Sequence, residues 1–290
     1  IPLRRSNRAT APRSGQRGGL AGGEQGGVVG LRGVGVRPEP RLEHGLAVDA
    51  GDRVRRVLLD AARLPASFES VDALEDFLAR PSQALVDDLA QVDGDIMILG
   101  VAGKMGPTLA RLAKNAAPHK RVIGVARFSD ATVRDRLEAW GVETIACDLL
   151  DRAALEALPK VPNVIFAAGH KFGASSNQSL TWAMNTHVPA LVAEVFKASR
   201  IVAFSTGNIY PLTPVGRQGA DEATPPGPVG EYAQSCIGRE RMFEYFSGKY
   251  DTPGRIFRLN YAIDMRYGVL YDIASRVHRG EVVDVTMGYV

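Results

Sequence analysis

One stretch, Asp95 to Ala110, reading D-I-M-I-L-G-V-A-G-K-M-G-P-T-L-A, constrains the rest of the chain more than any other. The apolar run Ile96-Met97-Ile98-Leu99 leads into Gly100, Gly103 and Gly106, and Leu109-Ala110-Arg111-Leu112-Ala113 follows at helical spacing. The pattern is strand, glycine turn, helix. A dinucleotide needs this order: one glycine for a tight turn, one to let backbone approach the pyrophosphate, one so that helix and strand pack closely. The helix amino terminus then offers free N–H groups and a partial positive charge to phosphate. Pro107 suits a first helical turn, where its missing N–H costs nothing. Gly100, Gly103, Lys104, Met105 and Gly106 are therefore candidate cofactor contacts.

Composition sets few further bounds. Apolar residues make up 45% of the chain and charged residues 23%, ordinary values for a globular protein with a real core. The net charge of +3 owes much to the first stretch of chain and does not point to a nucleic-acid partner. No apolar run is long enough to span a bilayer. Two distant cysteines, Cys147 and Cys236, lack metal-ligand spacing and read as buried thiols in a reducing, cytoplasmic setting.

Residues 1 to about 48 are rich in Gly, Arg and Pro and have no helical or strand period; no aromatic precedes Phe68 and no lysine precedes Lys104. We expect residues 1–67 to be disordered or non-native, like translated sequence upstream of a true start or a fragment end, with a targeting or nucleic-acid tail as alternatives. Val54 to Leu64 has some amphipathic helical character. Ser70 and Ser82 are placed to cap two short helices, the first presenting Val71, Leu74, Phe77 and Leu78 on one face, as a helical extension over residues 68–94.

From residue 95 to 290, strands and helices alternate, which predicts an α/β Rossmann-type doubly wound parallel sheet with helices on both faces and the start of a substrate-binding part. The expected strands after the first are 121–127, 142–147, 164–169, 201–204, 256–261 and 282–285. The helices between them are 131–140, 151–158 (capped by Asp151), 179–199, 231–246 and 268–279. Arg127 closes the second strand, where an acidic residue would hold the ribose hydroxyls of NAD and an arginine accommodates the 2′-phosphate of NADP. NADP is the expected cofactor, NAD the alternative, with Asp130 nearby arguing for the latter. Ala167, Ala168 and Gly169 leave room for a cofactor at the end of the fourth strand.

These motifs together resemble the extended short-chain dehydrogenases, the NAD-dependent epimerase/dehydratase family. The resemblance runs from about residue 95 to the end. It implies that Asp148, with Leu149 beside it, contacts the adenine and that Asn185 matches the asparagine of the family's N-x-x-G-T segment, although Gly-Thr is absent here. Ser205-Thr206-Gly207-Asn208-Ile209-Tyr210 is similar to the family's S-S-x-x-V-Y strand end, which puts Thr206 at the catalytic Ser/Thr position. Tyr232 falls where the family carries its catalytic tyrosine, also a cofactor contact.

The departure lies four residues on. The family reads Tyr-x-x-x-Lys, and this chain reads Tyr232-Ala233-Gln234-Ser235-Cys236. That lysine favours the phenolate and holds the nicotinamide ribose; an unassisted tyrosine, with a pKa of about 10, is a poor base near neutrality. Cys236 replaces neither task, and Arg239 or Lys171 are the residues placed to supply the charge.

The resemblance thus implies an oxidoreductase that moves hydride at a hydroxyl or carbonyl carbon, as in sugar-nucleotide epimerases, with a small-molecule substrate and a homodimeric assembly through helices 179–199 and 231–246. A cofactor-binding sensor or scaffold with weak or no turnover is the non-enzymatic alternative, favoured by Cys236. A reductase of the dihydrodipicolinate type is a third reading of the glycine motif. His170 and His187 suggest no metal pair.

Overall fold

Why the apolar runs become strands rather than helices is visible in the first of them. In the computed structural model, which describes residues 65–171, 174, 176–286, 288 and 289, Ile96–Leu99 forms β1 with every residue buried. Ile96 and Ile98 pack into one hydrophobic cluster, Met97 and Leu99 into another, so the two faces of one strand serve two cores. The remaining strands are β2 (Val122–Ala126), β3 (Glu143–Ala146), β4 (Asn163–Phe166), β5 (Arg200–Thr206) and β6 (Gly254–Leu259). They form a parallel sheet in the order β3-β2-β1-β4-β5-β6. The order in which strands are added reverses between β1 and β4, where Leu99 lies beside Phe166. A crevice opens at the carboxyl ends of the strands at such a switch point.

The helices are α1 (Val71–Leu78), α2 (Gln83–Ala90), α3 (Gly106–Ala116), α4 (Ala131–Ala139), α5 (Arg152–Ala157), α6 (Gln178–Trp182), α7 (Val188–Val195), α8 (Gly230–Tyr250) and α9 (Val269–His278). Ser70, Ser82 and Asp151 cap α1, α2 and α5 through side-chain oxygens, as their positions predict. Asp130 does the same for α4.

Four features differ from expectation. Within α1, Leu74 is buried, but Val71 is 60% exposed and Glu75 only 2%. The carboxylate is accommodated because it accepts from Thr108 Oγ1 at 2.6 Å and pairs with Arg266 and, at 3.7 Å, Arg136. The expected helix over 179–199 is interrupted by a π turn, Ala183–His187, before α7. Pro189 cannot donate to the Asn185 carbonyl and its ring crowds that carbonyl, which opens the preceding turn. That helix ends at Val195. Residues 282–285 form no strand: Val282 and Val285 are 86% and 85% exposed, and among the described residues no strand lies beside them to complete a ladder. Nearby, Tyr289 bridges Pro214 instead. The expected segment 1–67 and the 54–64 helix lie outside the described residues, apart from residues 65–67.

β5 and β6 alternate buried and exposed residues, whereas β1 is buried throughout. One face of β5 is covered by α8, whose Phe243 meets Phe166 of β4 edge-on at 5.3 Å.

Candidate active site

The glycine turn has the shape that the sequence pattern requires. Gly100 turns with φ +89°, and a Cβ there would lie 2.7 Å from the Ala168 backbone. At Gly106 a Cβ would stand 2.0 Å from the Val101 carbonyl, so α3 packs against the strand end only through glycine. Above Gly103 the space stays open, the nearest atom being the Gly100 carbonyl at 3.4 Å. α3 begins without a side-chain cap, and Pro107 occupies its first turn. Open backbone below and an uncapped helix end beside it suit a pyrophosphate.

This turn forms one wall of a cleft of about 1230 Å³. Gly100, Gly103, Lys104, Met105 and Gly106 line it, together with Ala167, Ala168, Gly169, Thr206 and Tyr232. Ten of the expected site residues thus share one cavity. Arg127, Asp148, Leu149 and Cys236 do not line it. Arg127 is exposed beyond β2, and Asp148 is exposed in the turn before α5, where its carboxylate accepts from Leu150 N at 3.0 Å. The side chain of Leu149 belongs to the hydrophobic core, correcting any expectation of a side-chain contact. Cys236 is fully buried and so cannot touch a ligand directly.

β5 delivers Ser205 and Thr206 to the cleft, and Thr206 caps the short 3-10 turn Gly207–Ile209. Its hydroxyl donates to Asn208 Oδ1 at 2.9 Å. Tyr232, half-buried in the first turn of α8, lies close to Thr206 and Cys236. Burial, and then Cys236, push its phenol up to about 12, against the pull of Arg239. Burial likewise pushes the Cys236 thiol up, so it stays neutral near pH 7.

Asn185, Arg239 and Lys171, which the sequence marks without showing their partners, organise the floor. Asn185 is fully buried in the π turn: its Oδ1 accepts from His170 N and Arg239 Nη2, both at 2.8 Å, and its Nδ2 donates to His170 O at 2.9 Å and Ser235 Oγ at 3.0 Å. One amide therefore ties the end of β4 to α8. Arg239, 5% exposed, also donates from Nη1 to Phe204 O at 2.8 Å. Lys171, exposed after β4, places its ammonium 5.6 Å from the Tyr232 ring centroid. On the far wall, Tyr210 accepts from Arg258 Nη1 at 2.9 Å, and Arg258 pairs with buried Glu240 at 2.8 Å. Tyr267 stacks on the Lys104 ammonium at 5.2 Å beside the glycine turn. Tyr210, Arg258, Glu240 and Tyr267 are the residues the sequence does not mark, because their partners lie on other elements and no local spacing brings them together.

Among the described residues no cluster of His, Cys, Asp or Glu is placed to hold a metal, and no helix is long and apolar enough to cross a membrane.

The family profile of the NAD-dependent epimerase/dehydratase family matches residues 96–285. The chain belongs to this family. As an epimerase/dehydratase-family member it has the extended short-chain dehydrogenase fold, and solved structures agree. It is similar to WbmG of Bordetella bronchiseptica, crystallised with NAD and UDP (18% identity, TM-score 0.55, covering 66% of this chain and 62% of that one). UDP-glucose 4-epimerase of Thermus thermophilus, in complex with NAD, gives 22% identity and a TM-score of 0.54 over 65% of this chain and 64% of that one. A putative epimerase of Burkholderia cenocepacia J2315 gives 19% identity and a TM-score of 0.52 over 64% and 61%. This family member thus spans less than two thirds of the length of those structures. No curated protein matches its sequence.

Proposed function

We propose that this protein is an NAD(P)-dependent oxidoreductase acting at a hydroxyl- or carbonyl-bearing carbon, with sugar nucleotides as the substrate class. The observation that carries this reading is the convergence of the open glycine turn, Thr206 and Tyr232 on one cleft. A nicotinamide dinucleotide bound there supplies the hydride acceptor and donor. Gly100, Gly103, Lys104, Met105 and Gly106 hold its phosphates, with Ala167, Ala168 and Gly169 leaving space alongside. Asp148 and the backbone of Leu149 serve its adenine end. Thr206 Oγ1 holds the substrate oxygen, and the Tyr232 phenol exchanges a proton with it. Cys236 takes part as a close neighbour of Tyr232 rather than as a ligand contact.

NADP is the preferred cofactor. Ala126 and Arg127 stand where an NAD enzyme would present an acid, and Asp130 is committed elsewhere: its carboxylate accepts from Thr132 N at 2.9 Å and Thr132 Oγ1 at 2.7 Å. Titrating NADPH and NADH into the whole chain, followed by nicotinamide fluorescence, tests this. Tight NADPH binding that Arg127→Asp weakens by about tenfold or more supports the reading, and failure of both cofactors to bind removes it. Turnover of UDP-sugars in the NADPH-loaded protein then tests the substrate class.

The raised phenol of Tyr232 favours a second reading, a cofactor-binding sensor with little turnover. Large activation by Cys236→Lys would support the sensor; loss of existing turnover would show a site built around the thiol. We further propose a homodimer formed through α6, α7 and α8, in a reducing, cytoplasmic setting consistent with two buried free thiols. Light scattering showing a monomer at micromolar concentration would remove the dimer.

A further inference from the structure

Position 236 faces inward on α8 and holds no charge, yet two cations approach Tyr232 from other directions. Arg239 stands two turns along the same helix face, and its guanidinium lies directly beneath Gly169, where a Cβ would come within 2.6 Å of Nη2. A glycine at 169 is what lets the guanidinium reach the cleft floor, and Arg239 lines the cleft. Both of its bonds go to neutral oxygens, of Phe204 and Asn185, and its Nε has no partner. Among the described residues no carboxylate pairs with it, because the adjacent Glu240 is taken by Arg258. A buried cation without a counter-charge is costly, and it favours any nearby group that can become an anion. The ionisable acids next to it are Tyr232 and Cys236.

Lys171 approaches from the opposite side, on the loop after β4, and lines the cleft over the Tyr232 ring. The other polar groups around Tyr232 are a hydroxyl, a carboxylate and an imidazole. Thr206 from β5 is a hydroxyl, and Glu231, the preceding residue of α8, accepts from Trp182 Nε1 of α6 at 2.5 Å. His170 beside Lys171 keeps its Nε2 buried and unbonded. We propose that Arg239 and Lys171 divide the work of the missing lysine: Arg239 is a positioning residue that favours the Tyr232 phenolate from below, and Lys171 is the ligand-facing cation at its ring. Both pull in the sense opposite to burial at this site: Arg239 on Tyr232 and Cys236, Lys171 on Cys236. This inference rests on the reading of Tyr232 as the proton-exchanging group.

The test uses the ligand-free chain and needs no turnover. Protein labelled with 3-fluorotyrosine shows one fluorine resonance lost in Tyr232→Phe, and the titration of that resonance is followed with pH. We expect Arg239→Met to raise its midpoint by about one pH unit and Lys171→Met by about half as much, with Arg239→Lys near wild type. Cys236→Lys should lower it. An unchanged midpoint in Lys171→Met, or in folded Arg239→Met, overturns the division of labour. If Arg239→Met does not fold, Lys171→Met decides alone, since Lys171 is exposed and leaves the fold intact. NADPH binding by the same proteins reports on the oxidoreductase reading separately, because a protein that binds no cofactor can still show the shifted tyrosine.

Discussion

Among the described residues, the buried charge sites around Glu75 and around Arg239 are built on opposite principles. Over α3, Glu75 gathers Thr108 Oγ1, Arg266 and Arg136, and Arg266 also holds Asp264 at 2.5 Å. Every charge there has a partner, and the bonds join α1 to a turn nearly two hundred residues later in the chain. Beneath Tyr232, Arg239 has a carbonyl oxygen, an amide oxygen and the Phe166 ring at 5.6 Å, and among the described residues no carboxylate. Paired buried charges serve the fold, because breaking one leaves the other stranded. An unpaired buried cation does little for stability but sets the field where a reacting group sits. The comparison predicts that stability and proton exchange can be mutated separately.

The largest effect should come from the pair next to Arg239. Glu240→Gln strands Arg258, whose side chain is only 10% exposed, and we expect a loss of about 3–5 kcal/mol, read as a lower urea midpoint. Glu75→Gln should cost less, about 2 kcal/mol, because Arg266 keeps Asp264 and Thr108 can still donate. By contrast Arg239→Met should change stability by about 1 kcal/mol or less while moving the Tyr232 titration. Equal losses from Glu240→Gln and Arg239→Met would erase the distinction. Gly169→Ala sharpens it: the added methyl displaces the guanidinium rather than backbone, so stability should fall by only about 1 kcal/mol while the titration follows Arg239→Met.

The same contrast separates what the sequence reveals from what it hides. β1, the glycine turn and the caps Ser70, Ser82 and Asp151 are legible because each depends on residues within a few positions of one another. The carboxyl-end cleft follows from strand and helix alternation alone. The burial of Glu75 is hidden because its partner Arg266 lies far along the chain, and Val282 to Val285 read as a strand because composition does not show whether a neighbouring strand exists. The π turn has a visible cause in Pro189, but its consequence, an asparagine clasping two elements, is tertiary. Arg239 is legible as a charge on the right helix face. That it has no carboxylate is not, since Glu240 beside it would pass for its partner.

The smallest expected effect concerns acid, and it falls on one site only. Burial raises the Asp264 carboxyl, but the hydrogen bonds and charge of Arg266 outweigh it and hold the carboxyl below the usual range. A depressed folded value means the stabilisation is complete above the unfolded carboxyl, near about pH 4, and disappears as pH falls through the lower folded value. Thermal midpoints of wild type and Asp264→Asn should therefore differ modestly at about pH 6 and converge toward about pH 2. Among the described residues the guanidinium beneath Tyr232 has no carboxylate to lose over this range, so Arg239→Met should keep a constant offset from wild type across it. An offset that shrank in acid would reveal a carboxylate partner for Arg239 and make the catalytic floor a paired site like that of Glu75.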